Sequence, residues 1–185
     1  MKSFWQNLSK PFTVLAPMEG VTDVVFRDII SNIGKPDVLF TEFISADGLF
    51  SRGFDNTVKR FDKSPIQHPI IAQIWGTNPE TFYKTAKYVQ EQNFDGIDVN
   101  MGCPDTNVMK RGGGAALIKN ENLAKELIAA LKEGAPKIAI SVKTRIGVDE
   151  IITEKWIEFL LQQKLDALTV HLRTAEEKSR VDAHW

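Results

Sequence analysis

Short apolar runs alternate along this chain with longer stretches in which apolar residues recur every three or four positions. The short runs predict β-strands, whereas the longer stretches predict amphipathic helices. The predicted strands lie near residues 12–16, 37–42, 69–75, 95–99, 137–143 and 165–171. The predicted helices lie at about 22–33, 79–92, 121–133 and 150–163. Strands that alternate with helices indicate a parallel sheet with right-handed crossovers.

Polar residues that can cap a helix stand at several of the predicted helix starts. Their side-chain oxygens accept hydrogen bonds from the free N–H groups of the first turn, and proline fits the first helical position. The pairs at these starts are Thr22-Asp23, Asn78-Pro79 and Asn120-Glu121. Because no linker, charge block or low-complexity segment interrupts the series, we predict one domain over residues 1–185.

The carboxyl ends of the predicted strands are polar. A doubly wound sheet binds its ligand only at the point where the strand order reverses, whereas a barrel gathers all its strand ends around one mouth. Polar residues at six successive ends therefore favour a (β/α)8 TIM barrel. These residues include Glu19, Glu42, Gln73, Asn100, Lys143, Arg145, His171 and Arg173.

The length of the chain is short for a closed barrel. A (β/α)8 barrel has eight strands and typically about 250 residues, and the segment from Thr174 to Trp185 is charged and predicts no further strand. We therefore expect an incomplete barrel of about six βα units, from a truncated gene product or an incomplete sequence. Its open sheet edges favour reduced stability or self-association.

Composition indicates an ordinary globular chain, with 43% apolar residues, 25% charged residues and a net charge of −1. One cysteine excludes an internal disulfide framework, and with three histidines it forms no metal-ligand spacing, so we expect no metal. Polar residues interrupt the N-terminal apolar positions, which predicts no signal peptide, no membrane association and a cytoplasmic location. A net charge this small gives no general attraction to nucleic acid, so RNA binding requires a local basic patch.

The only cysteine lies directly after the fourth predicted strand, in the motif Asn100-Met101-Gly102-Cys103-Pro104. A lone cysteine is more often an inert core residue. Asparagine, glycine and proline, however, do not belong inside a packed strand. The glycine before it permits an unusual backbone angle and the proline after it fixes the next one, so the thiol is held at a set angle to whatever lies above the sheet. Cys103 is therefore the candidate catalytic residue.

A glycine-rich stretch, Arg111-Gly112-Gly113-Gly114-Ala115, follows the cysteine motif. It lacks the spacing of a dinucleotide-binding fingerprint and does not come immediately after a strand. We predict a flexible turn into a helix rather than a phosphate site.

Several short motifs occur together in the order found in one enzyme family. They are Ala16-Pro17-Met18, Gln73, Asn100-Met101-Gly102-Cys103-Pro104, Val142-Lys143-Thr144-Arg145 and His171-Leu172-Arg173-Thr174. Through them the chain resembles the tRNA-dihydrouridine synthases, from about residue 12 to the C-terminus. The resemblance implies a (β/α)8 barrel that binds FMN, takes electrons from NADPH and reduces the C5=C6 double bond of uridine in tRNA.

The same resemblance implies a role for each motif residue. It makes Cys103 the proton donor, which suits a thiol with a pKa near its reference value of about 8.5, since such a thiol is mostly protonated at neutral pH. It implies cofactor contacts from Ala16, Pro17, Met18, Gln73, Lys143 and His171. Asn100, Arg145 and Arg173 are candidate substrate or flavin contacts, although surface salt bridges explain the arginines equally well. Lys143 offers positive charge to the electron-rich pyrimidine side of reduced flavin, and Gln73 offers a donor and an acceptor to its amide-like edge.

Two parts of the family's tRNA and cofactor sites are not predicted here. In the family, a C-terminal helical domain supplies much of the grip on tRNA, and the loops after strands seven and eight bind the FMN phosphate. This chain offers only a partial basic rim, made of Lys110, Arg111, Arg173, Lys178 and Arg180. Two alternatives stay open: another FMN barrel that reduces a free pyrimidine or an enone, and an inactive fragment that binds RNA or another partner.

Overall fold

The computed structural model describes residues 3–51 and 57–185 and contains one six-stranded parallel sheet. Neighbouring strands follow the order of the chain from β1 to β6, with no reversal. A doubly wound sheet has such a reversal, whereas a barrel does not. The prediction of an incomplete (β/α)8 barrel is therefore confirmed. The strands are β1 (Val14–Leu15), β2 (Val38–Ser45), β3 (Ile70–Trp75), β4 (Gly96–Met101), β5 (Ala139–Arg145) and β6 (Ala167–His171).

Helices connect the strands as predicted. The α-helices are α1 (Val24–Gly34), α2 (Ala46–Leu49), α3 (Pro79–Glu91), α4 (Thr106–Lys110), α5 (Glu121–Gly134) and α6 (Thr153–Gln162). Short 3-10 helices lie at Phe4–Asn7, Lys59–Phe61 and Gly114–Lys119.

The predicted caps hold three of these helices at their N-termini. The Asp23 side chain accepts from the backbone N–H of Phe26, and Asn120 caps α5 in the same way. Asn78 caps α3, with a proline in its first turn. Helix α6 begins three residues later than predicted, because the Ile152 N–H donates to the carbonyl of Ile146 and closes a loop ahead of the helix.

The outer face of the sheet is mostly apolar. Alternate strand residues pack with the helices into one core of fully buried side chains. Each large side chain removed from water in this way contributes about 1.5–3 kcal/mol to folding. Members of this core are Ile70, Ile74, Ile97, Val99, Ile140 and Val142 from the strands, and Phe82, Leu127 and Trp156 from the helices.

The inner face changes character along the strands. Near the strand starts, Phe40, Ile71 and Ala139 form a second, smaller core with Trp5. Toward the carboxyl ends the inward positions become polar, for instance Ser141, Lys143 and Arg145 along β5. The apolar end closes the bottom of the sheet, and the polar end is where the predicted site residues meet.

An aspartate precedes every second strand and ties the start of that strand to its neighbour. Asp37 accepts from the backbone N–H of Thr13 at 2.7 Å, Asp95 from Ile70 at 2.8 Å and Asp166 from Ile140 at 2.8 Å. Each carboxylate satisfies a backbone donor at a strand start. The pairing of neighbouring strands is thereby reinforced at the end of the sheet opposite the polar pocket.

In the part of the chain that the structure describes, no helix is both long and apolar enough to cross a membrane. Within the same residues, no three His, Cys, Asp or Glu side chains are placed to hold a metal ion.

Candidate active site

A pocket of about 170 Å³ opens at the polar end of the sheet. It contains the predicted catalytic thiol and most of the other predicted site residues. Its lining comprises Pro17, Phe43, Gln73, Asn100, Gly102, Cys103, Pro104, Lys143, Arg145 and His171. A larger cavity of about 360 Å³ lies near the strand starts, beside Phe4 and Phe94, and none of the predicted site residues lines it. The pocket at the polar end is therefore the candidate active site.

The cysteine loop is held by the side chain at the end of its own strand. Asn100 Oδ1 accepts from the backbone N–H of Gly102 at 3.1 Å and from that of Cys103 at 2.8 Å. Gly102 packs against the backbone of Thr144, where a Cβ atom would lie 3.2 Å from the carbonyl carbon. The strand therefore ends in a tight turn that directs Cys103 into the pocket.

The glycine-rich stretch supports this loop from the other side. Gly114 has φ +59°, and a Cβ atom there would lie 2.7 Å from the carbonyl oxygen of Cys103. The Ala115 N–H donates to that same oxygen at 3.0 Å. The stretch is a turn that leads into a 3-10 helix, as predicted. Its close contact with the cysteine loop was not predicted.

The thiol of Cys103 is half-buried and stays protonated at neutral pH. Burial raises its pKa above the ordinary value. A hydrogen bond from the Asp105 backbone lowers this pKa, whereas the negative charges of Asp105 and Glu19 raise it. The positive charge of Arg145 opposes them by favouring the thiolate. A group of this kind is an acid rather than a nucleophile at physiological pH.

The Lys143 ammonium reaches the pocket without a protein partner. Burial lowers its pKa, and the nearby Asp98 carboxylate acts in the opposite direction. Among residues 3–51 and 57–185, no hydrogen bond or ion pair to the ammonium group of Lys143 is found. Because the ammonium faces the pocket and no protein group occupies its donors, it suits a ligand that carries negative charge or electron-rich acceptors.

His171 is neutral at physiological pH. Its pKa is lowered to about 4 by burial and by the positive charges of Arg145, Lys143 and Arg173. Its Nε2 atom lies 2.8 Å from an Arg173 guanidinium nitrogen. Because arginine has only donors, Nε2 accepts, and the imidazole proton resides on Nδ1. His171 thus offers a neutral N–H donor.

The two predicted substrate-binding arginines make many contacts with backbone. Arg145 donates to the carbonyls of Gly102 at 2.8 Å, Thr174 at 2.9 Å and Lys178 at 2.8 Å. It therefore joins the cysteine loop to the segment after β6, while also lining the pocket. Arg173 donates to the carbonyl of Val181 at 2.6 Å and lies outside the pocket lining. Their substrate contacts stay predictions.

The first loop reaches the pocket through Pro17, whereas Ala16 and Met18 lie exposed and outside the lining. Glu42 on β2 is buried and holds this loop by accepting from the Gly20 N–H at 2.7 Å. A salt bridge at 2.5 Å joins Glu19 of the loop to Arg60. The cofactor contacts of Ala16, Pro17 and Met18 stay predictions.

Two residues of the site were not singled out from the sequence. Phe43 lines the pocket. A β-bulge between Phe40 and Phe43 shifts the in-and-out alternation along β2, so the sequence does not reveal which face of the sheet carries the Phe43 side chain. Asp98 is completely buried beneath the pocket, and burial raises its pKa to about 6. A carboxylate inside an apolar strand is unusual, and that signal could have identified Asp98.

The fold and the pocket together define a parallel α/β barrel protein with a thiol, an ammonium and an imidazole at its mouth. Two solved structures share the fold. The structure of morphinone reductase in complex with tetrahydroNAD has a TM-score of 0.57 and 11% identity, over 86% of this chain and 69% of that chain. A variant of NCR from Zymomonas mobilis has a TM-score of 0.54 and 14% identity, over 96% and 67%. At such low identity the likeness concerns the fold alone.

The family is shown by the sequence. The family model described as dihydrouridine synthase (Dus) matches residues 14–185, so the chain belongs to the dihydrouridine synthase family. The "Probable tRNA-dihydrouridine synthase" of Staphylococcus aureus strain Mu50 is 44% identical over 100% of the chain and 56% of its own length. The "Probable tRNA-dihydrouridine synthase 2" of Bacillus subtilis strain 168 is 45% identical over 100% and 57%. The chain thus spans just over half the length of these curated relatives.

Proposed function

We propose that this chain carries the active site of an FMN-dependent tRNA-dihydrouridine synthase, which uses NADPH to reduce the C5=C6 double bond of uridine in tRNA. One observation carries the proposal: the protonated thiol of Cys103 and the unpaired ammonium of Lys143 share one pocket. Family membership and the names of the relatives support tRNA as the substrate. A tRNA-modifying enzyme of this kind would act in the cytoplasm.

The donor set of the pocket fits the ring system of a flavin. Lys143 would face the electron-rich pyrimidine side, and Gln73 and His171 would hydrogen-bond to its polar edge. Pro17 and Phe43 supply apolar surface for a planar ring. When bound and reduced by NADPH, FMN supplies the hydride that adds to C6 of uridine. The family resemblance assigns the FMN phosphate to loops beyond the six strands.

Cys103 completes the reduction at C5. Hydride addition at C6 leaves negative charge toward C5, and the thiol donates its proton there to form the second C–H bond. The resulting thiolate takes a proton from water, which restores the acid. The guanidinium of Arg145 favours the transient thiolate, and burial keeps the resting group protonated.

The neutral state of His171 supports the thiol as the acid. With its pKa lowered to about 4, the imidazole is not charged at neutral pH. It therefore serves as a hydrogen-bond donor through Nδ1 rather than as the source of the proton. Cys103 and His171 would have distinct roles in the same pocket.

The substrate must be extracted from folded RNA before it can enter. A stacked uridine reaches a buried pocket only after it is flipped out, which costs a few kcal/mol of unstacking. Exposed cations near the cysteine loop and after β6, among them Lys110, Arg111 and Lys178, are available to bind phosphate groups. The additional length of the relatives would supply the remaining contacts.

The proposal is tested with FMN, NADPH and an unmodified tRNA transcript. The purified chain, and a chimera completed with the C-terminal portion of the Bacillus subtilis relative, are examined for flavin absorbance and NADPH-dependent loss of uridine absorbance. We expect flavin binding by both proteins and turnover by the chimera. Colourless proteins that still shift tRNA in a gel would favour an RNA-binding module. A flavoprotein that reduces a free pyrimidine or an enone but not tRNA would favour the other enzyme class.

A further inference from the structure

A line of buried side-chain hydrogen bonds runs beneath the pocket across β5, β4 and β3. Ser141 Oγ donates to Asp98 Oδ1 at 2.6 Å, and Gln73 Nε2 donates to Asp98 Oδ2 at 2.8 Å. Asn100 Nδ2 donates to Gln73 Oε1 at 3.1 Å. All four side chains are at most 7% exposed, so water does not compete for these bonds. The line ends at Cys103, whose backbone N–H donates to Asn100.

Both ends of this line fix the direction of every bond within it. At one end, the backbone N–H groups of Gly102 and Cys103 can only donate, so Asn100 must turn its oxygen toward them and its NH2 group toward Gln73. At the other end, an ionised Asp98 can only accept, so Gln73 must turn its NH2 group toward the carboxylate. The two ends require the same orientation of the Gln73 and Asn100 amides, and neither amide can rotate without breaking a buried hydrogen bond.

This direction decides which hydrogen-bonding groups the amides retain for a ligand. Each NH2 group of Gln73 and Asn100 uses one hydrogen in the line and retains another. Asn100 Oδ1 is already occupied by two N–H groups, and Gln73 Oε1 accepts one hydrogen bond and retains one lone pair. Both residues line the pocket, as does the Lys143 ammonium. On that side of the pocket the available donors therefore outnumber the acceptors, and we call it the donor wall.

We infer that Asp98 is a positioning residue: it holds the amide of Gln73 with its N–H group available to the pocket, so that the site selects a ring edge made of hydrogen-bond acceptors. This inference rests on the proposed function and extends it, since it states that the ring edge bound at this wall carries hydrogen-bond acceptors. Asp98 itself touches no ligand. It acts through Gln73, whose N–H group offers the ligand a hydrogen-bond donor, as the ammonium of the neighbouring Lys143 does.

Exchanging the acid and the amide tests the direction of the line. In Gln73→Glu, two carboxylates face each other, and at pH 8 the folded-to-unfolded ratio should fall about 100-fold. In Asp98→Asn, an amide oxygen can still accept from Gln73, so the ratio should fall no more than about tenfold. In the double variant, the amide at position 98 donates to the carboxylate at position 73, which also accepts from Asn100. We expect it to regain at least about tenfold over Gln73→Glu.

Two further readouts separate positioning from simple structural support. In the double variant, alkylation of Cys103, the only cysteine, should proceed within about twofold of the wild-type rate, because the Asn100 anchor is kept. Its affinity for FMN should fall at least about tenfold, because an acceptor replaces a donor in the pocket wall. Ser141→Ala is the matched control: it shortens the line but keeps Asp98 as the acceptor, so FMN affinity should stay within about threefold.

The outcomes distinguish this inference from the proposed function. A double variant no more stable than Gln73→Glu would overturn the assigned direction. Wild-type affinity for FMN in a well-folded double variant would overturn the donor wall. If the wild-type chain itself bound no FMN, the cofactor proposal would fail, and with it the inference that the site selects a ring edge made of acceptors. The stabilities of the two single variants and the double variant would still decide the orientation of Gln73.

Discussion

The two faces of the same strands follow different rules. On the outer face, Ile97 and Val99 are fully buried among apolar side chains, and they are held by packing alone. On the inner face, the alternate residues Asp98 and Asn100 are equally buried but polar, and they are held by directed hydrogen bonds. One strand thus contributes to the core through one set of residues and to the site through the other.

This difference shows which polar groups support the fold and which are available to bind a ligand. Buried polar groups fold only when their bonds are satisfied, and those beneath the pocket are. Lys143, which is half-buried, differs from them, since its ammonium faces the pocket without a partner among the described residues. An unsatisfied charge at the mouth of an otherwise satisfied layer is a mark of a binding site rather than of a core.

The largest expected effect is a loss of turnover, caused by a substitution on the inner face that leaves folding intact. Cys103→Ala should reduce turnover on tRNA by about 10²–10⁴-fold, because a positioned acid is lost. FMN binding and reduction by NADPH should be retained, since the thiol is not a predicted cofactor contact. Steady-state assays and flavin spectra of the chimera described above provide the check. Unchanged turnover would remove the proton-donor role, and loss of flavin would make the residue structural.

The outer face should respond to loss of volume. Ile97→Ala creates a cavity in the main core and should lower the free energy of unfolding by about 2–5 kcal/mol. Ile33→Ala is the control, because Ile33 is 81% exposed and its truncation should change stability by less than about 0.5 kcal/mol. Urea unfolding followed by tryptophan fluorescence measures both. Equal effects of the two substitutions would contradict the assignment of the outer face as the main core.

The inner face should respond to pH through Asp98. Burial raises its folded-state pKa to about 6 from the ordinary value of 3.8, so its favourable contribution to stability is full below pH 3.8 and is lost as pH rises to about 6. Asp98→Asn cannot titrate. Over this pH range its free energy of unfolding should rise by about 3 kcal/mol relative to that of the wild type. Unfolding curves at pH 4 and pH 7 test this, and a constant difference between the two proteins would contradict it.

A smaller effect is expected where the glycine-rich turn supports the cysteine loop. Gly114→Ala places a methyl group against the Cys103 carbonyl at a positive φ, and should cost about 1–3 kcal/mol. Gly34→Ala is the matched control, because nothing lies within 4 Å of a Cβ atom there. Thermal unfolding and the alkylation rate of Cys103 report the change. Identical behaviour of the two variants would show that the turn does not support the loop.

Much of the outer face and of the fold could be predicted from the sequence. The apolar runs located the strands, and the caps Asn78 and Asn120 marked two helix starts. The family match and the shared fold confirm the family resemblance and the incomplete barrel. These features depend on local pattern and composition, which a sequence displays directly.

The support beneath the site could not be predicted in the same way. The link from Asp98 to Gln73 joins residues 25 positions apart through strand register, and the contact of Gly114 with Cys103 depends on a turn. Arg145 contacts backbone on two other segments, which its place in the motif does not reveal. Contacts set by three-dimensional register need coordinates, even where the contacting residues stand out in the sequence.

The most direct test of the central claim is an FMN titration of the wild-type chain, Lys143→Met and Lys155→Met, followed by quenching of flavin fluorescence. Lys155 is the control because its side chain is 76% exposed and lies outside the pocket at the end of the sheet. If the unpaired ammonium holds the electron-rich ring, Lys143→Met should weaken binding by at least about tenfold, or about 1.4 kcal/mol, and Lys155→Met should bind as the wild type does. Equal affinities in all three proteins, or no binding by the wild type, would contradict the account.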